Sequence, residues 1–136
     1  MQEQPTRIKP DMYALLHADK QTESADIKIQ QIEEYVCETF HTNIEEIKGR
    51  KRIQNIVRAR QLLLACRYIL GWNFRECGEA YNRHHATVIH SIGAVYWDVK
   101  AKNFYYDSIL KTFEIFGLTH GLERLNRDMS IWNHYK

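Results

Sequence analysis

Apolar residues recur at steps of three and four through most of this chain, and nearly every run is bounded by a glycine or a small polar residue. That period belongs to helices that bury one face. Ile29, Ile32, Val36 and Phe40 form the first stripe, which predicts a helix over about residues 25–40 with Ser24 as its N-cap. Asn43 can cap a short second helix with Ile44 and Ile47 inward, and Gly49 is expected to end it in a positive backbone dihedral. A third helix, over 53–70, turns Val57, Leu64 and Tyr68 inward, with Ile56 and Leu63 widening the stripe. It stops at Gly71 and leaves Arg58, Arg60 and Arg67 for its outer face.

Asn73 with Glu76 three residues later is a capping-box pattern for a short helix containing Phe74, Cys77, Gly78 and Tyr81. Asn82-Arg83-His84 then makes a turn, and Val88, Ile92, Val95 and Val99 mark a longer helix reaching about Lys102. A missing side chain at Gly78 would let the two helices cross closely. Phe104, Ile109, Phe113 and Phe116 give one more inward-facing segment closed by Gly117, and Thr119 can cap a final short helix.

No segment shows the two-residue alternation of a strand, so the expected fold is all-α: a helical bundle containing a helix-turn-helix, with an additional C-terminal helical segment. A length of 136 residues suits one core and would leave two independent domains marginal. Residues 1–23 read as a polar arm with a brief apolar cluster at Met12, Tyr13, Leu15 and Leu16. Residues 24–103 read as the helix-turn-helix domain, and 104–136 as an extension packing on the same core.

A hydrophobic fraction of 44% and an aromatic fraction of 12% exclude a disordered chain. No apolar stretch is long enough to span a bilayer and the first residues lack a signal-peptide core, so no membrane partner and a cytoplasmic location are expected. Cys37, Cys66 and Cys77 are odd in number and widely spaced, which suits buried free thiols better than disulfides or a zinc knuckle. His84, His85 and His90 do not share the four-residue step that pairs two ligands on a helical face, so no metal and no cofactor is expected. Without a convergent acid, base and nucleophile, the chain is not expected to be an enzyme.

The net charge of +2 is too small to identify a nucleic-acid binder, but its distribution is polarised. Lys48, Arg50, Lys51, Arg52, Arg58, Arg60 and Arg67 follow one another without an acidic residue, after a stretch rich in glutamate. A short helix, a turn and a longer helix with a polar first turn match the way helix-turn-helix proteins present base-reading groups. A cationic loop leading into a helix N-terminus suits phosphate.

These blocks in this order, Lys51-Arg52 through Val57-Arg58-Ala59-Arg60-Gln61, then Phe74-Arg75-Glu76-Cys77-Gly78, then Arg83-His84-His85-Ala86-Thr87-Val88-Ile89-His90, resemble the C-terminal DNA-binding domain of the bacterial replication initiator DnaA, over about residues 27–103. The resemblance implies a double-stranded DNA partner. It implies Arg52 in the minor groove and His84, His85, Ala86 and Thr87 facing base edges in the major groove, with Lys51, Arg60, Gln61, Arg67 and His90 as phosphate or positioning contacts; Arg50, Arg58 and Arg83 complete the expected DNA-binding set.

Two positions depart from the family's signature. Its aspartate is His84 here, which removes an acceptor for a cytosine amino group, and one threonine is Ala86, which keeps only a methyl. No Gly-x-x-x-x-Gly-Lys-Ser/Thr loop occurs, so the chain by itself is not expected to be driven by a nucleotide. The other function class is a protein-interaction adaptor that keeps the fold and docks a partner through the aromatic C-terminal part, with Trp132 and Tyr135 as its foremost contacts.

Overall fold

The computed structural model describes residues 23–133, and the side chains of 24–129. Seven α-helices lie among the described residues: α1 Glu23–Phe40, α2 Ile44–Lys48, α3 Gln54–Leu70, α4 Phe74–Ala80, α5 His85–Ala101, α6 Tyr106–Ile115 and α7 His120–Asn133. The described residues contain no strand. The cluster at Met12, Tyr13, Leu15 and Leu16 and the tail residue Tyr135 lie outside the described residues, and Trp132 outside the described side chains.

Helix α3 is the axis of the bundle. It packs against α1, α2, α4, α5 and α7, and Ile56, Ala59, Leu62, Leu63, Leu64, Ala65 and Cys66 are all buried, so it is apolar around nearly its whole circumference rather than along one stripe. The inward residues of α1 (Ile29, Ile32, Val36, Phe40) and of α5 (Val88, Ile92, Val95) meet it from different directions. Ile109, Phe113, Phe116, Leu118, Leu125 and Met129 continue the same core into the C-terminal helices.

Local signals behave as their chemistry requires. Asn43 Oδ1 accepts from Glu46 N at 2.9 Å. The Asn73–Glu76 capping box is complete in both directions, at 2.8 and 2.9 Å. Gly71 and Gly117 take the positive φ (120° and 71°) that ends α3 and α6. A Cβ placed on Gly78 would lie 2.1 Å from the Arg83 carbonyl oxygen and 3.1 Å from Val88 Cγ2, so only glycine lets α4 meet the turn and α5 this closely.

Four expectations are corrected. Helix α1 begins at Glu23, which places Ser24 inside its first turn rather than at its cap. Gly49 ends α2 as expected, its N–H donating to the Glu46 carbonyl at 3.1 Å, but in an extended conformation (φ −84°, ψ −164°) rather than a positive dihedral, with its carbonyl accepting from two arginines. Phe104 is 88% exposed, since Lys102 adopts a left-handed conformation (φ 52°) that breaks the register between α5 and α6. The final helix is fourteen residues long rather than short. Of the three free thiols, Cys66 and Cys77 are buried and Cys37 is half-buried.

Two glycines predict opposite outcomes. Gly78→Ala should destabilise the fold by about 1–3 kcal/mol, because the clash is with backbone that cannot rotate away. Gly93→Ala, in the interior of α5 with open space where its Cβ would be, should stabilise it by about 0.5–1 kcal/mol. Urea unfolding midpoints check both signs.

Candidate nucleic-acid interface

The bend between α2 and α3 exposes Arg50, Lys51 and Arg52. Its shape is set from beneath by Arg60, one turn and a half into α3. Arg60 Nε donates to the Ile47 carbonyl at 2.7 Å, and Nη2 donates to the carbonyls of Glu46 (3.2 Å), Lys51 (3.3 Å) and Gly49 (3.4 Å). The side chain is buried, and a planar guanidinium fork is suited to collecting several oxygens at once. Burial, and then the neighbouring Arg83 charge, lower Arg60 to about 10, which still leaves it a cation at neutral pH.

Arg83 ties the same bend to the helix-turn-helix. Its Nη2 donates to the Gly49 carbonyl, and its Nη1 reaches the carbonyls of Asn82 (3.1 Å), Tyr81 (3.2 Å) and Lys48 (3.4 Å). Asn82, in the left-handed region at φ 60°, adds a bond from Nδ2 to the Lys48 carbonyl at 3.5 Å. On the other side, hydrogen bonds from Thr42 and then Lys51 hold the Glu46 carboxyl below its ordinary range, with Lys51 Nζ at 3.0 Å.

The first turn of α5 stands across from this loop. His84 is its N-cap, and His84, His85, Ala86, Thr87 and His90 are exposed. Between the two lies an open cleft of about 610 Å³ lined by Arg50, Lys51, Arg52, Arg83, Thr87 and His90, with Arg60 and Gln61 at its floor; among the described residues no carboxylate lines it. A cationic wall and Thr87 and His90 of α5 therefore face one volume, while His84, His85 and Ala86 are exposed outside its lining.

Arg58 and Arg67 are not part of that cleft, and the expectation that Arg58, Arg60 and Arg67 occupy an outer face is corrected. Arg58 Nη1 donates to the buried Asp98 carboxylate at 2.7 Å and its guanidinium lies over the Tyr105 ring at 4.7 Å. Arg67 donates to Tyr81 Oη at 3.0 Å and to Glu33 Oε2 at 3.3 Å, with Trp72 and Tyr81 rings beside it. Both side chains join helices, because α3 has almost no outer face to offer. Arg83 as a strut and Asn82 as a left-handed hinge were missed by sequence reasoning; an asparagine opening a tight turn was the available signal.

Nucleophile chemistry finds little support. Burial pushes the Cys77 thiol up to about 12 and the Cys66 thiol higher still. Among the described residues no three His, Cys, Asp or Glu side chains are grouped to hold a metal ion, and no helix is long and apolar enough to cross a membrane.

Arg60→Ala should cost about 1–3 kcal/mol of stability by leaving the loop carbonyls without their donor. Amide hydrogen exchange at Arg50, Lys51 and Arg52 should accelerate with it, and Arg60→Lys should not restore protection, since one ammonium cannot span the same oxygens. An unchanged unfolding midpoint and unchanged exchange would sink the strut assignment.

Residues 29–95 match the family model described as the bacterial dnaA protein helix-turn-helix. The chromosomal replication initiator protein DnaA of Thermoanaerobacter sp. (strain X514) is 27% identical over 99 residues, covering 70% of this chain and 22% of that protein. The same-named protein of Citrifermentans bemidjiense is 35% identical over 69 residues, covering 49% of this chain and 15% of that protein. The chain thus spans about a fifth or less of the length of these relatives. No solved structure gives a significant match. Residues 29–95, with their short helix, turn and long helix, are thus similar to the helix-turn-helix domain of the bacterial DnaA proteins.

Proposed function

We propose that this chain binds double-stranded DNA sequence-specifically in replication or transcription control, in the cytoplasm, by binding and not by catalysis. The observation that carries the reading is the shared cleft: a loop bearing Arg50, Lys51 and Arg52 and the α5 side chains Thr87 and His90 border one volume that no carboxylate lines among the described residues. The relatives' name, chromosomal replication initiator protein, supports the replication setting.

In this reading α5 enters the major groove with His84, His85, Ala86 and Thr87 toward base edges. Arg52 reaches the minor groove, where a guanidinium suits the negative potential. Lys51, Gln61 and His90 contact phosphates, with Arg50 beside them. Arg60 and Arg83 act beneath the surface, holding the loop in register with the helix, while Arg58 and Arg67 serve the scaffold through Asp98 and Glu33. Residues 24–103 carry the binding, and α6 and α7 brace it on the same core.

A second reading, a protein partner on the C-terminal aromatic part, is favoured by Phe104 at 88% and Trp97 at 49% exposure. A stoichiometric complex that survives Arg52→Ala and is lost with Phe104→Ala would select it over the first.

Selection from a pool of randomised duplexes tests the main reading. An enriched motif is expected, with affinity that falls steeply as salt rises, because counterion release dominates such binding. Arg50→Ala should weaken all duplexes alike and lower the salt slope by about one, while Arg52→Ala should relax preference within the motif. A pool without an enriched motif and binding indifferent to salt would end the reading.

A further inference from the structure

His84 caps α5 in a way that fixes what its ring can offer outward. Its backbone is extended (φ −70°, ψ 148°), and its Nδ1 accepts a hydrogen bond from the Ala86 amide at 3.2 Å. An imidazole nitrogen that accepts carries no proton, so the proton of the neutral ring resides on Nε2. The cap thereby selects one tautomer and leaves an N–H donor on the opposite edge of an exposed ring. The His85 ring, 4.2 Å away between centroids and tilted by 32°, packs on the same ring and limits its alternatives. A protonated ring would also carry a donor at Nε2, so neither charge state supplies an acceptor there.

Resting on the DNA-binding reading above, we infer that His84 is a specificity-determining residue that presents a hydrogen-bond donor to the major groove and selects guanine at the base pair it faces. Guanine offers two acceptors there, O6 and N7, whereas cytosine offers the N4 amino group, a donor that would meet a donor. Thymine offers a single acceptor and adenine an acceptor beside a donor, so both rank below guanine. The same hydrogen bond that starts the helix thus sets the polarity of its first base contact.

Two substitutions separate polarity from folding. Aspartate and asparagine both cap helices through a side-chain oxygen, so His84→Asp and His84→Asn should each preserve the start of α5, with unfolding midpoints close to that of the unaltered chain. Only the asparagine retains an N–H; the aspartate is an acceptor alone. Sequences are then selected from a randomised duplex pool with the full chain and each variant.

The unaltered chain and His84→Asn should enrich a motif in which one column favours guanine over cytosine by roughly tenfold. His84→Asp should turn that one column to cytosine and leave the others unchanged. A motif whose columns do not move with His84→Asp, or a cytosine column in the unaltered chain, overturns the inference while leaving DNA binding intact. A pool that yields no motif with the unaltered chain removes the DNA-binding reading and this inference together. Should His84→Asp fail to fold, the base at the column and its persistence in His84→Asn decide the matter.

Discussion

A backbone carbonyl removed from water must find a donor, and the bend after α2 turns the oxygens of Glu46, Ile47, Gly49 and Lys51 toward the protein. Arg60 satisfies that demand from below and Arg83 from the side. Two cations beneath a cationic loop look unfavourable as point charges, and burial with mutual repulsion does lower Arg60. The arrangement persists because each guanidinium hydrogen-bonds to several backbone oxygens at once. Everything exposed at the loop takes its position from these struts, and Arg83, the second of them, belongs to the turn that launches α5.

The same economy runs through the rest of α3. Surrounded on nearly all sides, it has few places for a charged side chain, and its arginines become cross-links between elements distant in sequence. Arg58 joins α3 to the end of α5 through Asp98, which also accepts from Asn103 Nδ2. Arg67 reaches Glu33 on α1 and the hydroxyl of Tyr81, which itself donates to the same carboxylate at 2.6 Å. At the opposite pole, Tyr68 donates to Asp128, and Arg124 lies over the Tyr68 ring at 4.2 Å, so α7 is held to α3 by polar as well as apolar contacts.

Sequence reading succeeds where a few neighbouring residues settle the matter. The Asn43 cap, the Asn73–Glu76 box and the turns at Gly71 and Gly117 each involve residues no more than about one helical turn apart. The stripes of α1 and α5 need only their own period, and the loop and the polar start of α5 were legible as charge and motif. It fails where a partner far along the chain decides. The conformation of Gly49 depends on arginines at 60 and 83, and the exposure of Phe104 on a left-handed residue between two helices whose stripes look continuous. The fates of Arg58 and Arg67 depend on carboxylates 40 and 34 residues away, which no local pattern announces.

The Arg58–Asp98 pair bears on more than cohesion. Asp98 lies thirteen residues beyond His85, about 20 Å along the axis at 1.5 Å per residue. Helix α5 is therefore pinned at one end by the close approach at Gly78 and at the other by an ion pair with a buried carboxylate. Each residue of an α-helix turns the next side chain through about 100°. Two fasteners so far apart act like pins driven through a shaft: they forbid rolling, and so keep the azimuth of the outward face constant whatever lies against it.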